Sequence, residues 1–214
     1  RHTKSEFASY LLPAWFLGLN PDGKVIQTAH TAELSVGFGR KVRNLVGSQD
    51  YQKVFDKVNL QADSKAAGRW NTNKGGEYFA IGVGGAVTGK GADLLIIDDP
   101  HSEQEAALAE INPDIYDKTY EWYTSGPRQR LQPGGAIVLV MTRWSVKDLT
   151  GALLKAQSDK NADKWEIIEF PAIWDSGKAM WPEYWKKEEL EIKEFSRLCV
   201  KHLGISLFQK TWKI

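Results

Sequence analysis

The run Leu94-Leu95-Ile96-Ile97 passes directly into Asp98-Asp99-Pro100, and it constrains the fold more than any other stretch of the chain. An unbroken branched apolar run bounded by breakers suits a strand buried on both faces of a parallel sheet. Such strands carry their last side chains to the carboxyl edge, where open α/β folds bind ligands. Two adjacent carboxylates at a buried strand end are costly without a cation. The pattern therefore predicts a ligand crevice at Asp98 and Asp99, with Asp98 holding a hydrated Mg²⁺ and Asp99 activating a water. The plainer alternative is an acidic helix cap ahead of Pro100.

The rest of the chain supplies alternating elements. A helix is expected over residues 5–17, packing Phe7, Leu11, Leu12, Trp15 and Phe16 and kinked at Pro13. Asn20-Pro21-Asp22-Gly23 marks a turn, followed by a strand over 25–30 and an amphipathic helix over 32–47. Gly75-Gly76 suggests a hairpin turn within 70–85. Helices are expected over 102–109 and 113–124. Pro133-Gly134-Gly135 then breaks the chain before a second apolar strand, 136–141. A helix over 146–157, a strand over 165–170 and a charged helix over 183–193 complete the pattern. Strands alternating with helices imply βαβ units and a mainly parallel central sheet flanked by helices, the α/β class.

Charge is unevenly spread. Residues 1–74 hold 11 Lys and Arg against 6 Asp and Glu, whereas residues 75–127 hold 2 against 10. The acidic centre fits a cation site, although Glu103, Glu105 and Glu110 read as a solvated helix face. The net charge of +1 argues against a large non-specific nucleic-acid footprint. No apolar run approaches the ~20 residues that span a bilayer. The one cysteine, Cys199, excludes an internal disulfide. The four histidines, His2, His30, His101 and His202, lack ligand spacing and receive no metal or catalytic role.

Arg1-His2-Thr3-Lys4-Ser5 leads into the first helix. Lys-Ser opening a helix is the closing half of a P-loop, in which backbone N–H groups cradle phosphate, Lys reaches the β/γ oxygens and the hydroxyl ligates Mg²⁺. Ser5 starting or capping the helix is the structural alternative. Thr142, at the end of the strand after the acidic one, is a candidate for sensing phosphate or for satisfying a turn. Arg143 beside it could stabilise transition-state charge or pair with an acidic neighbour. Thr88-Gly89-Lys90 imitates a P-loop but precedes a strand, so it is read as a loop, with Lys90 as a group that could reach a neighbouring subunit's nucleotide.

Taken together these segments resemble the ATPase domain of the large terminase subunit, the DNA-packaging motor of tailed bacteriophages. Arg1–Phe7 resembles the end of its Walker A loop, Thr88–Pro100 its Walker B region, and Val140–Leu149 its coupling motif. Trp181-Pro182-Glu183 adds to the likeness. The resemblance implies a P-loop NTPase of the ASCE type over residues 1–177. A linker or tail would follow over 178–214, with the nuclease domain absent and 195–214 unlike the family's linker. It implies that Arg1, Thr3, Lys4 and Ser5 bind ATP, that Ser5 and Asp98 hold Mg²⁺, and that Asp99, Thr142 and Arg143 are catalytic or coupling residues. The implied activity is Mg²⁺-dependent ATP hydrolysis driving double-stranded DNA into a procapsid. The implied partners are the portal protein, the small terminase subunit and further copies in a ring, in the host cytoplasm and without a membrane. Another P-loop translocase or helicase, or an inactive interaction module, is the alternative.

Overall fold

Two apolar layers, one on each face of a single sheet, organise the chain. The computed structural model describes residues 3–160, 162–196 and 205–210; Arg1 lies outside them. The order is a first helix, α1, wound as a π-helix over Glu6–Leu11 and as an α-helix over Leu12–Leu19; β1 Lys24–Ala29; α2 Ala32–Val46; α3 Gln49–Val54; β2 Leu60–Ala66; β3 Arg69–Thr72; β4 Glu77–Gly82; and β5 Ala92–Asp98. There follow α4 Glu103–Ala109, α5 Asp114–Ser125, a 3₁₀ turn Pro127–Arg130, β6 Leu131–Met141, α6 Leu149–Ala156, β7 Trp165–Glu169, α7 Lys187–Ser196 and β8 Ile205–Lys210. The strands lie in the order β2-β3-β4-β1-β5-β6-β8-β7.

The four central strands, β4, β1, β5 and β6, run parallel. Both edges are antiparallel: β2 and β3 form one, β8 and β7 the other. The fold is thus mixed α/β, with the expected parallel centre and two hairpin-like margins. The strand expected over 165–170 belongs to one margin. Residues 205–210 pair with β6 and β7, so this part of the tail joins the sheet.

Strand alternation sorts the core. Leu94, Ile96, Val138 and Val140 face one way, against Ala8, Ala14 and Leu17 of α1 and Val42 and Val46 of α2. Leu95, Ile97, Ile137 and Leu139 face the other, against Tyr123 of α5 and Leu149 and Leu153 of α6. Asp98 continues the Leu94–Ile96 series and therefore points under α1.

Three local expectations are corrected. The first helix buries Ala8, Ser9, Pro13, Ala14 and Leu17 and leaves Phe7, Leu11 and Trp15 exposed. Small residues on the inner face let the backbone approach the sheet closely enough for serine hydroxyls to reach Asp98. Pro13 produces no break: the chain is π-wound up to Leu11 and resumes α-winding with Pro13 in its first turn, where the missing N–H costs least. Pro133-Gly134-Gly135 likewise does not end the strand. It forms a bulge inside β6, where the pairing jumps from Ala92↔Leu131 to Leu94↔Ala136 and Gly134 takes φ 83°.

Candidate ligand site at the carboxyl edge of the sheet

β1 and β5 are neighbours whose onward connections diverge. The chain leaving β1 travels through α2 and the antiparallel margin to β4, on one side; the chain leaving β5 travels through α4 and α5 to β6, on the other. A crevice opens at the carboxyl ends of such a pair, where α/β folds place ligands. Here the crevice is built by His30 after β1 and by Asp98 and Asp99 closing β5. The N–H of His30 donates to the Asp99 carbonyl at 3.3 Å.

The two carboxylates occupy different surroundings. Asp98 is 1% exposed. Its oxygens accept hydrogen bonds from Ser5 Oγ at 3.0 Å and Ser9 Oγ at 2.8 Å. Ser5 and Ser9 are one helical turn apart, so both hydroxyls face the same carboxylate. Gln27 in β1 supports the inner one, donating from Nε2 to Ser9 Oγ at 3.2 Å. Burial pushes the Asp98 carboxyl above its ordinary range; the Asp99 charge adds to this, whereas Lys4 and the two serine bonds oppose it.

Asp99 is one-third exposed at its side chain. Lys4 Nζ meets its Oδ2 at 2.5 Å and lies 3.8 Å from Asp98 Oδ1. The N–H of Thr142, just beyond β6, donates to Asp99 Oδ1 at 2.9 Å, and the N–H of Asp99 donates to the Val140 carbonyl at 2.8 Å. Asp99 is held at φ +42° and Thr3, beside Lys4, at φ +58°; among the described residues they are the only non-glycine positions with positive φ. Left-handed backbone at residues other than glycine costs about 1–3 kcal/mol and persists where the surroundings over-determine it.

An open cleft of about 460 Å³ is lined by His30, Thr31, Glu33, Leu34, Phe38 and Lys41, and His30 links it to the Asp99 carbonyl. It lies over the first turns of α2, whose N-cap Thr31 accepts from the Leu34 N–H. Lys41, at its border, pairs with Glu6 of α1 at 2.7 Å.

Thus Lys4, Ser5, Asp98, Asp99 and the Thr142 backbone converge, as the spacing of strand ends and helix start implies. Arg143 goes elsewhere. Its Nε donates to Asp148 at 2.9 and 3.0 Å and its Nη2 to the Ser145 carbonyl at 2.8 Å. Asp148 is fully buried and also accepts from the N–H groups of Trp144, Ser145 and Gly151, so it caps α6 and knots the β6–α6 loop. The helix expected from Val146 therefore begins at Leu149. Lys90 is occupied within its own chain, paired with Glu77 and 5.1 Å above the Phe79 ring. Sequence reasoning passed over Ser9, His30 and Asp148. A Ser-x-x-x-Ser spacing at the helix start and an Asp ahead of Leu149-Thr150-Gly151 were the available signals; nothing local marked His30.

The comparisons with known proteins correct the family reading. No protein-family model matches the chain, and no curated protein matches it. Among solved structures it is similar to the plantazolicin methyltransferase BpumL in complex with SAH, at TM-score 0.44 and 8% identity over 99% of this chain and 86% of that one. It is also similar to the glycopeptide N-methyltransferase MtfA, at TM-score 0.33 and 11% identity over 94% and 90%. Neither is a terminase or an ATPase. The large-terminase resemblance is therefore withdrawn, and with it the ASCE P-loop NTPase class, ATP and Mg²⁺ as cofactors, the hydrolase activity and ATP-driven packaging of viral DNA. Asp98 is sealed under α1 with both oxygens bonded to serines, and Lys4 is engaged by carboxylate. No group of three or more His, Cys, Asp or Glu that could hold a metal occurs among the described residues. The DNA, portal, small-subunit and ring expectations had no footing besides the resemblance. At TM-scores below 0.5, the methyltransferase likeness in turn assigns no activity to this chain. No helix among the described residues is long and apolar enough to cross a membrane.

Proposed function

We propose that the chain binds a small zwitterionic molecule at the carboxyl edge of its sheet. Its negative group would sit on Lys4 and the first turn of α1, its positive group on Asp99, and its body in the cleft. The observation that carries this reading is the Lys4–Asp99 pair, closed at 2.5 Å with Asp99 and the Thr3 next to Lys4 both at positive φ, and linked through His30 to a cleft. Charge decides the ligand class. Lys4, Asp98 and Asp99 together hold one positive and up to two negative charges, so a simple anion meets net repulsion once it displaces Asp99. A molecule bearing both signs replaces the internal pair with two pairs of its own. The first turn of α1 adds backbone N–H donors and the positive end of its dipole beside Lys4. Asp98 serves to anchor α1 through Ser5 and Ser9, and Thr142 to aim Asp99. The cleft volume falls within the roughly 300–1,000 Å³ usual for small-molecule sites.

S-adenosylhomocysteine is a suitable probe: it ends in a free amino acid group, and the BpumL structure was solved in complex with SAH. Calorimetric titration should show binding to the wild type and at least about tenfold weaker binding to Lys4→Ala, since a charge-assisted bond contributes about 1.5–3 kcal/mol. Inorganic pyrophosphate, an anion alone, should bind more weakly than the zwitterion. Failure of the wild type to bind the probe, or equal affinity in Lys4→Ala, would refute the reading.

A further inference from the structure

The histidine at the mouth of the crevice carries a second, directional piece of recognition. His30 Nδ1 lies 3.2 Å from the carbonyl oxygen of Asp99, and His30 is one of the residues lining the cleft. A carbonyl oxygen only accepts, so Nδ1 must carry the proton in this contact. In the neutral ring Nε2 then bears a lone pair. The backbone holds the arrangement from both sides, because the His30 N–H donates to the same carbonyl at 3.3 Å. A strained residue thus presents its carboxylate to Lys4 and its carbonyl to His30.

We infer that His30 is a specificity residue of this site, whose Nε2 accepts a hydrogen bond from a hydroxyl or amine on the body of the bound molecule. The inference rests on the ligand reading above and narrows it: the molecule carries a hydrogen-bond donor beyond its charged ends. Glu33 and Lys41 of α2 line the cleft with His30, and Lys4 pairs with Asp99, whose carbonyl His30 contacts. Lys41 is already paired with Glu6. Those cations are donors only, and the carboxylates acceptors only. With Nδ1 donating to the Asp99 carbonyl, Nε2 of His30 is an acceptor without a formal negative charge, suited to a hydroxyl or amine on the ligand body.

The test compares the wild type with His30→Phe, which keeps a planar ring without an acceptor, and His30→Gln, whose amide oxygen restores one. Affinity for S-adenosylhomocysteine, which carries hydroxyl and amine donors, should fall about tenfold in His30→Phe and largely recover in His30→Gln, as expected for one buried hydrogen bond. Ring nitrogen–proton NMR spectra should show the Nδ1–H tautomer for His30, with the Nε2 resonance moving when the probe saturates the protein. Equal affinity in His30→Phe, or an Nε2–H tautomer, would overturn the inference while leaving the Lys4 result standing. Loss of the Lys4 dependence, or no binding to the wild type, would overturn the ligand reading and this inference together.

Discussion

Asp148→Ala is the substitution whose cost the structure specifies most fully. The carboxylate is fully buried and receives the Arg143 guanidinium and three backbone N–H groups, those of Trp144, Ser145 and Gly151. Truncation removes an N-cap, at about 1 kcal/mol. It also strands the charge of Arg143, whose side chain is 19% exposed. Removing one partner of a buried pair costs about 3–5 kcal/mol; partial access of Arg143 to water places the expected total near the lower end, about 3–4 kcal/mol. For a chain of this size that lowers Tm by roughly 6–16 °C. Urea denaturation of wild type, Asp148→Ala, Arg143→Met and the double variant measures the coupling directly. The double variant should be about 1–2 kcal/mol more stable than Asp148→Ala, because the orphaned charge is gone. A single-variant loss below about 1 kcal/mol, or strictly additive effects, would refute the view that this pair knots the β6–α6 loop.

Asp98→Asn should flatten the pH dependence of stability. With the folded carboxyl raised by burial, the unfolded chain loses its proton first, so wild-type stability falls as pH rises above about 4, the unfolded carboxyl's range, until the folded group ionises too. A urea midpoint series from pH 4 to 8 that shows the same slope in both proteins would contradict this. His101 works in the opposite sense. Burial holds its pKa below the ordinary value and its Nε2 accepts from the Leu149 N–H at 3.1 Å, so stability should drop as pH falls below about 6.5. That drop should be smaller in His101→Gln, which keeps an acceptor and cannot titrate; an unchanged thermal-melt profile against pH would remove His101 as its cause. Gly151→Ala should cost about 1–3 kcal/mol or more by denaturant titration, because a Cβ there would lie 2.0 Å from the Val146 carbonyl oxygen; a neutral result would mean that the loop yields freely.

Much of the secondary structure was legible because its signals are local. The apolar run ending in Asp98 reports a strand buried on both faces, and Ala32–Val46 announces its own amphipathic helix and glycine end. The meeting of Lys4 and Ser5 with Asp98 and Asp99 was legible too, since a helix start and a strand end of these types share the carboxyl edge in an α/β fold. The family did not follow from them: lysine, serine and paired aspartates are few enough groups that several chemistries can use them.

Tertiary structure decided the rest. The first helix has apolar residues on more than one face, so periodicity could not choose which stripe to bury; the need of Asp98 for hydroxyl partners and close backbone approach selected the side with Ala8 and Ser9. Strand direction at the margins depends on which neighbour each strand meets, information that no single strand contains. His30 has nothing in its own sequence neighbourhood to mark it. It acquires its place through a carbonyl 69 residues away, on a residue held at φ +42°. The sequence by itself determined a parallel centre and which charges reach its edge. Only packing determined how those charges neutralise one another, because hydrogen-bond direction and burial exist once the layers have closed.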